Sequence, residues 1–408
     1  MHVELHPRFT KDQQAERAAD LISACVHCGF CLATCPTYLD QADERDSPRG
    51  RIYLIKQLLE EGQAGAATRT HLDRCLTCRS CETTCPSGMQ YGSLVDIGRG
   101  MMEAEAPRPP LERGFRHALR WTLSRPALFA ALLKLGQSLK PLIPGRLGKK
   151  IPPRQIPGVT PNNHHQRRML ILEGCVQGAA TPATNAALAR ILDKLGISLE
   201  RIPGAGCCGA VNYHLGAHSD GLDNMRRNID AWWPAVENGA EAIISSATGC
   251  GSMLVEYGEL LAGDPAYAGK AHKISRLCLD AAEVIANQDL QALDIDSDIG
   301  PVALHIPCSQ QHALKQPQLV RDILREAGFQ LVATHDDHLC CGSAGTYSIL
   351  QQPRSERLRQ RKLTALQAEK AALIATANVG CQLHLGEESP VPVCHWLELL
   401  DPATDHGH

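Results

Sequence analysis

Residues 25–36 read CVHCGFCLATCP, and residues 75–86 read CLTCRSCETTCP. Both stretches space their cysteines as C-x2-C-x2-C-x3-C and end in proline. Three thiolates on one tight loop can bind three irons of a cubane cluster, while the fourth cysteine is carried onto the following turn. A structural zinc site more commonly uses two separated C-x2-C pairs and gains nothing from three evenly spaced cysteines. The spacing therefore predicts two [4Fe–4S] clusters.

The fourth cysteine of each stretch is expected to serve the other cluster. Both stretches match the bacterial ferredoxin run, in which this exchange occurs when a protein holds two clusters. The predicted ligand sets are Cys25, Cys28, Cys31 and Cys85 for the first cluster, and Cys75, Cys78, Cys81 and Cys35 for the second.

A second group of cysteines forms an internal repeat. The interval is 133 residues for Cys175 and Cys308 and for the Cys-Cys-Gly motifs at residues 207 and 340, and 131 residues for Cys250 and Cys381. A short apolar run precedes each outer cysteine: MLIL, AIIS, VALHI and ALIA. Strand, cysteine and amphipathic helix in this order predict two α/β repeats with mostly parallel sheets. Ligands gather beyond the carboxyl ends of such strands, where these cysteines would lie.

A basic, proline-rich segment separates the two cysteine-rich regions. From Pro107 to Arg168 it contains 13 Lys or Arg residues, one acidic residue and ten of the 25 prolines. We expect an amphipathic helix over Trp121 to Leu139 and extended chain after it. The predicted organisation is a helical ferredoxin-like domain with two [4Fe–4S] clusters over residues 1–106, this linker over 107–167, and two α/β repeats over 168–300 and 301–408. Within the first domain, a helix is expected from Pro48, capped by Ser47 and closed by Gly62.

The repeated pattern resembles the cysteine-rich CCG domain of heterodisulfide reductases and of several flavoprotein-linked dehydrogenase subunits. Two ferredoxin runs followed by two CCG repeats are similar to the iron–sulfur subunits of anaerobic glycerol-3-phosphate dehydrogenase, of lactate-utilisation complexes and of glycolate oxidase. The chain most resembles the glycolate oxidase group. The stretches that carry this resemblance are CVHCGFCLATCPTY (25–38), SPRGRIYLIKQ (47–57), HLDRCLTCRSCETTCPSG (71–88), NIDAWWPAVENGAEAI (228–243) and HLCCGSAGTY (338–347).

The resemblance implies an electron-transfer subunit of a flavin-dependent complex that oxidises glycolate to glyoxylate. No P-loop occurs in the sequence, FAD is expected on partner subunits, and this chain is expected to lack the substrate site. Iron–sulfur clusters suit a one-electron path from a flavin to a quinone or another acceptor. The alternatives are a heterodisulfide-reductase-like catalytic subunit acting at the CCG site, the iron–sulfur subunit of a lactate or glycerol-3-phosphate dehydrogenase, and a scaffold without redox turnover.

The CCG repeats depart from the full family pattern at one position. That pattern ends in C-x-x-C, whereas Met253 and His384 stand at its last position here. A neutral histidine can replace cysteine at an iron–sulfur centre, but a thioether is a weak ligand. If either repeat binds an additional iron–sulfur cluster, we therefore expect it to be the second repeat. The candidate CCG-site residues are Cys175, Cys207, Cys208, Cys250, Cys308, Cys340, Cys341, Cys381 and His384. His305 and His312 flank Cys308 and are weaker candidates.

Composition excludes other classes of protein. The chain has 18 cysteines, no secretory signal in its first 20 residues and no apolar run of membrane-spanning length, so we expect a reducing, cytoplasmic compartment. With 4% aromatic residues and a net charge of −3, nucleic acid is not expected as a partner. The basic linker would contact anionic lipid, placing the chain peripherally on the inner face of the membrane, or an acidic partner, or the chain's own acidic domains. Cys278 and Cys394 have no counterparts between the repeats.

Overall fold

The computed structural model describes residues 1–403, apart from the side chains of residues 146 and 147. Residues 404–408, which the prediction assigns to the second repeat, lie outside the described residues. The predicted fold class is confirmed, because a helical N-terminal part precedes two α/β units with parallel sheets.

The N-terminal part is built from helices packed around one apolar core. The helices are α1 (Gln13–Ser23), α2 (Pro36–Gln41), α3 (Pro48–Glu61), α4 (Ala66–Asp73), α5 (Ser80–Thr84) and α6 (Tyr91–Glu105), with 3-10 turns at Pro7–Phe9, Phe30–Leu32 and Glu44–Asp46. The predicted start and end of α3 are confirmed. The Ser47 hydroxyl accepts a hydrogen bond from the Gly50 N–H at 3.0 Å, and Gly62 ends the helix at φ 71°. Ile22, Ile55 and Leu94 on α1, α3 and α6 are fully buried in the core.

The connecting segment contains more helix than predicted. Its helices are α7 (Pro110–Leu123), α8 (Pro126–Leu139) and α9 (Gly145–Lys149), with a 3-10 turn at Lys140–Leu142. The prediction of one helix from Trp121 to Leu139 was wrong at its start. Pro126 has no N–H and disfavours helical geometry at Arg125, which is extended at φ −116° and ψ 92°, so α7 stops before it. Residues 152–165 form no helix or strand.

The first repeat is a four-stranded parallel sheet in the order β2-β1-β3-β4. The strands are β1 (Arg167–Leu172), β2 (Ile197–Arg201), β3 (Ile243–Ser245) and β4 (Cys278–Asp280). The helices are α10 (Gln177–Ala180), α11 (Pro182–Lys194), α12 (Ala210–Tyr213), α13 (His218–Glu237), α14 (Thr248–Leu254), α15 (Tyr257–Leu260), α16 (Ala268–Leu277) and α17 (Ala281–Ile285), with a 3-10 turn at Leu290–Leu293.

The second repeat has the same topology in reduced form. Its parallel strands are β5 (Val302–His305), β6 (Leu373–Thr376) and β7 (Val393–His395), in that order. A single bridge from Val302 to Leu331 replaces the strand equivalent to β2. The helices are α18 (Leu319–Glu326), α19 (Tyr347–Leu350), α20 (Gln352–Leu366), α21 (Val379–Gly386) and α22 (Trp396–Leu399), with a π turn at Ser309–Ala313. All four apolar runs predicted as strands form β1, β3, β5 and β6.

The two repeats share one apolar core. Helix α11 packs on α22, and α17 packs on α18, so each repeat contributes the same two helices to the contact. Leu192, Ile285, Leu324 and Trp396 are buried in this shared core. The two repeats are therefore related by an approximate two-fold axis.

Cys278 and Cys394 lie on corresponding strands, β4 and β7, but not at corresponding positions, in agreement with the prediction that they have no counterparts. Cys278 pairs with Ile243, whereas Cys394 pairs with Ala375. These registers place the two cysteines one position apart. Because side chains alternate along a strand, the two thiols point to opposite faces of their sheets.

Candidate metal centres

Two cavities in the N-terminal part are lined by cysteines from both ferredoxin runs. The first is lined by Cys25, Cys28, Cys31 and Cys85, and the second by Cys35, Cys75 and Cys78, while Cys81 lies on the wall of both. The fourth cysteine of each run thus reaches the cavity formed by the other run. All of these cysteines are free thiols.

The two cysteine loops fold in the same way. His27 and Gly29 in the first loop, and Thr77 and Arg79 in the second, all have positive φ, between 53° and 86°. Left-handed backbone is unfavourable for residues other than glycine and costs on the order of 1–3 kcal/mol per position. Three such non-glycine residues are tolerated because each loop must turn sharply enough to aim its three thiols at one point.

Burial acts against bare thiolates in both cavities. It raises the pKa of Cys31 to about 11 and raises the pKa values of Cys78 and Cys81 well above the usual range. Metal ligation requires deprotonated thiols, so cationic iron would offset the same desolvation. Two adjacent cavities with eight thiols between them thus fit two cubane clusters in donor type and number.

The two cavities differ in exposure. Cys28 is exposed in the wall of the first cavity, and the neighbouring side chains of Val26 and Phe30 are 67% and 61% exposed. In the wall of the second cavity, Cys35 and Cys75 are buried. One cavity therefore reaches the surface and the other lies inside the protein.

A buried arginine stands in the wall of the second cavity. Arg51 is 1% exposed, and it donates hydrogen bonds to the His71 carbonyl at 2.7 Å and to the Thr37 hydroxyl at 3.1 Å. Its guanidinium lies 3.7 Å from the fully buried carboxylate of Asp46, which also contacts Arg354 of the second repeat at 2.8 Å. Sequence reasoning missed Arg51 as a site residue, although it lies within SPRGRIYLIKQ.

The four cysteines of the first repeat come together. The thiols of Cys175 and Cys207 lie next to each other, as do those of Cys208 and Cys250. The neighbouring thiols of Cys175 and then Cys208 lower the pKa of Cys207 well below its usual value. Met253, at the last position of the motif, is buried.

The cysteines of the second repeat also come together, but with a different histidine from the predicted one. The thiols of Cys308 and Cys340 lie 3.8 Å apart, and those of Cys341 and Cys381 lie 3.4 Å apart. His384 does not join this group. Its Nε2 lies 3.0 Å from the Ser355 hydroxyl, and burial lowers its pKa to about 4.

His305, a weaker candidate in the sequence, is the histidine that meets the cysteines. A ring nitrogen of His305 and the sulfurs of Cys341 and Cys381 all lie within 4.8 Å of one another. His312 faces elsewhere, with its Nδ1 2.9 Å from the Thr83 hydroxyl. Sequence reasoning missed this contact because it joins the end of β5, the Cys-Cys-Gly loop and the first turn of α21, which are far apart in the sequence.

The cysteines of the second repeat lie against the second cavity of the N-terminal part. Leu76 packs in one apolar cluster with Cys340 and Tyr347, and Cys78 and Cys308 pack against the same cluster. In the first repeat, Cys208 packs instead among Trp232 and other residues of its own unit. The two CCG sites are therefore unequal in their relation to the ferredoxin runs.

The connecting segment contacts the acidic parts of the chain and also presents apolar side chains. Arg108 and Arg116 form ion pairs with Asp73 at 2.6 and 3.0 Å, as expected for a strap over the chain's own domains. Exposed apolar side chains nevertheless run along α7 and α8 and beyond: Leu111, Phe115, Trp121, Leu132, Leu135, Leu139 and Leu142. Among the described residues, no helix is long and apolar enough to cross a membrane.

Comparison with known proteins identifies both kinds of domain. The family model for a 4Fe-4S dicluster domain matches residues 21–89, and that for a cysteine-rich domain matches residues 169–255 and 302–386. The chain is 48% identical to the glycolate oxidase iron-sulfur subunit of Escherichia coli, covering 99% of this chain and 100% of that protein. It is 30% identical to the probable glycolate oxidase iron-sulfur subunit of Bacillus subtilis, covering 94% of each. Lactate utilization protein A of Geobacillus thermodenitrificans is 25% identical over 53% of this chain and 90% of that protein.

Proposed function

Because this chain belongs to the family of glycolate oxidase iron–sulfur subunits, we propose that it carries electrons out of a complex that oxidises glycolate to glyoxylate. The oxidation itself takes place on FAD-bearing partner subunits, and this chain passes the electrons on to a quinone or another acceptor. The observation that carries the proposal is the pair of adjacent cavities lined by eight cysteines, one open to the surface and one buried.

The first cluster is held by Cys25, Cys28, Cys31 and Cys85, and the second by Cys75, Cys78, Cys81 and Cys35. When bound, each cluster accepts and releases one electron at a time. The exposed apolar side chains of Val26 and Phe30 beside the first cavity suit the docking of a partner subunit, since docking would bury them and bring the partner close to that cavity. The buried walls of the second cavity exclude water from its cysteines.

The crossed ligand sets are tested by single substitutions in matched positions. We expect Cys28→Ala and Cys85→Ala to abolish the same cluster signal in electron paramagnetic resonance (EPR), and Cys78→Ala and Cys35→Ala to abolish the other. Cys278→Ala, which removes a buried thiol outside both cavities, should retain about eight irons per chain. If Cys85→Ala instead removed the signal lost in Cys78→Ala, each run would hold its own cluster and the crossed assignment would fail.

The electron-transfer role is tested in the complex with its FAD-bearing partners under anaerobic conditions. Glycolate is expected to reduce the clusters, monitored by bleaching of their visible absorption, whereas the isolated chain should not respond to glycolate. Reduction by lactate but not by glycolate would move the assignment to the lactate-utilisation branch. Reduction by neither, with flavin that is itself reduced, would exclude the proposed role.

The chain is further proposed to lie peripherally on the inner face of the cell membrane, through the apolar side chains of α7 and α8. Leu132 and Leu135 are 48% and 56% exposed on α8, with Lys134 exposed between them. Burial of leucine in a lipid interface contributes about 1.5–3 kcal/mol per side chain, so Leu132→Gln with Leu135→Gln should weaken binding to anionic vesicles by at least about tenfold. Ile349→Gln changes an exposed apolar residue of the second repeat and serves as the control. Equal vesicle binding by wild type and the double variant would exclude this surface.

A further inference from the structure

Three buried side chains from separate parts of the second repeat converge on one point. His305 ends β5, Cys341 belongs to the Cys-Cys-Gly loop, and Cys381 lies in the first turn of α21. All three are at most 4% exposed, and their ligand atoms lie within 4.8 Å of one another. Nitrogen and thiolate sulfur are the donors preferred by zinc and similar divalent ions.

The imidazole of His305 has a ring nitrogen that no other group satisfies. Its Nε2 is buried and has no hydrogen-bond partner among the described residues, which is costly for a polar atom away from water. A metal ion bound by this nitrogen would remove that cost.

A buried cation stands beside the same cysteines. Lys362 is 2% exposed, and its ammonium donates a hydrogen bond to the Asp336 carbonyl at 2.6 Å. Burial lowers the pKa of Lys362, and the neighbouring Asp337, Cys341 and Cys340 oppose that shift, so Lys362 lies next to the cysteines of the site.

The first repeat provides an internal comparison. Gly209 and Gly342 occupy the same place in the two Cys-Cys-Gly loops, with φ of 96° and 93°. A Cβ at Gly209 would meet the backbone oxygen of Gly221 in α13, and a Cβ at Gly342 would meet that of Ser355 in α20. The cysteine intervals and this pairing align His305, Lys362 and His384 of the second repeat with Leu172, Asn228 and Met253 of the first. The first repeat keeps the cysteines but has neither the nitrogen donor nor the buried cation.

We propose that His305, Cys341 and Cys381 bind one divalent transition-metal ion, Zn²⁺ or Fe²⁺, and that the first repeat has no such site. A tetrahedral zinc with Zn–S bonds of about 2.3 Å holds two sulfurs about 3.8 Å apart, close to the 3.4 Å that separates Cys341 from Cys381. Binding releases the thiol protons and leaves the oxidation states unchanged. A third [4Fe–4S] cluster is the competing occupant, and it would spread its cysteines over separate iron corners.

The site is tested by metal analysis of the full-length chain purified anaerobically. We expect one equivalent of zinc, or of iron without matching sulfide, beyond the irons and sulfides of the two clusters. X-ray absorption at the edge of that metal should show one nitrogen and two sulfur ligands from the protein. No additional metal would overturn the proposal, and so would four additional irons with matching sulfide.

Two substitutions copied from the first repeat separate His305 from His384. In His305→Leu the content of the additional ion per chain should fall at least fivefold. The cluster irons and their EPR signals should remain, which also shows that the chain is folded. His384→Met should retain the ion, because His384 is bonded to Ser355. Retention of the ion in His305→Leu, or its loss in His384→Met alone, would exclude His305 as the ligand.

Discussion

Removing the charge of Arg51 is predicted to lower the reduction potential of the second cluster. Arg51 is the fully buried cation in the wall of the second cavity. Reduction adds negative charge to a cluster, so a nearby positive charge favours the reduced form and raises the potential. Arg51→Gln removes that charge and keeps a side chain that can donate hydrogen bonds to the Thr37 hydroxyl or the His71 carbonyl.

The magnitude follows from Coulomb's law. A unit charge at about 6 Å, in a medium of effective dielectric constant about 20, contributes about 3 kcal/mol. For a one-electron couple this corresponds to about 120 mV. Asp46 lies 3.7 Å from Arg51 and opposes its field, although Asp46 also pairs with Arg74 and Arg354. Allowing for this opposition, we expect the potential to fall by about 60 mV.

The assay is a redox titration monitored by EPR, with the signal of the second cluster identified by its absence in Cys78→Ala. Arg51→Lys keeps the charge and should shift the potential by less than half as much as Arg51→Gln. Arg74→Gln is the matched control, because Arg74 pairs with the same Asp46 at 3.3 Å and does not line either cavity. An unchanged potential in an Arg51→Gln protein that retains both clusters would refute the electrostatic argument. An equal fall in Arg51→Lys would assign the effect to packing.

Three further predictions concern stability. Ser47→Ala removes the cap hydrogen bond of α3 and should cost about 1 kcal/mol, measured as a fall in Tm, whereas an unchanged Tm would show that the cap contributes nothing. Burial raises the pKa of Asp280 to about 7, so the stability contributed by its protonated form is lost as the pH rises from about 4 through 7. The free energy of unfolding of Asp280→Asn, relative to wild type, should therefore be about 2 kcal/mol higher at pH 8 than at pH 5. A difference between their Tm values that does not depend on pH would contradict this. Arg354→Gln breaks the contact with buried Asp46 and should lower the free energy of unfolding by about 1–2 kcal/mol, measured as a fall in Tm. The loss stays this small because Asp46 keeps other partners. Arg357→Gln is its control, since the side chain of Arg357 is 46% exposed, and equal effects of the two substitutions would argue against a buried interface contact.

Local features of this protein were readable from the sequence. The cysteine spacing, the cap at Ser47 and the four apolar runs depend on residues close together in the chain, and each corresponds to an element of the structure. The predicted start of the helix at Trp121 was also wrong for a local reason, because Pro126 disfavours helical geometry at Arg125. The first helix of the linker, α7, was missed because several of its apolar side chains stay exposed and carry no clear core pattern.

The sequence by itself determined that eight cysteines form two ferredoxin runs and that the chain after the linker is a duplicated α/β unit. Such features are set by spacing, because thiols on one tight loop can meet in only a few ways. Only the tertiary structure decided how the parts relate. It placed the second CCG site against Cys78, joined Arg354 to Asp46 across 308 residues of chain, and brought His305 rather than His384 to the cysteines. The physical reason is that these contacts join chain segments far apart in sequence, and no local spacing encodes which buried surfaces will pack together.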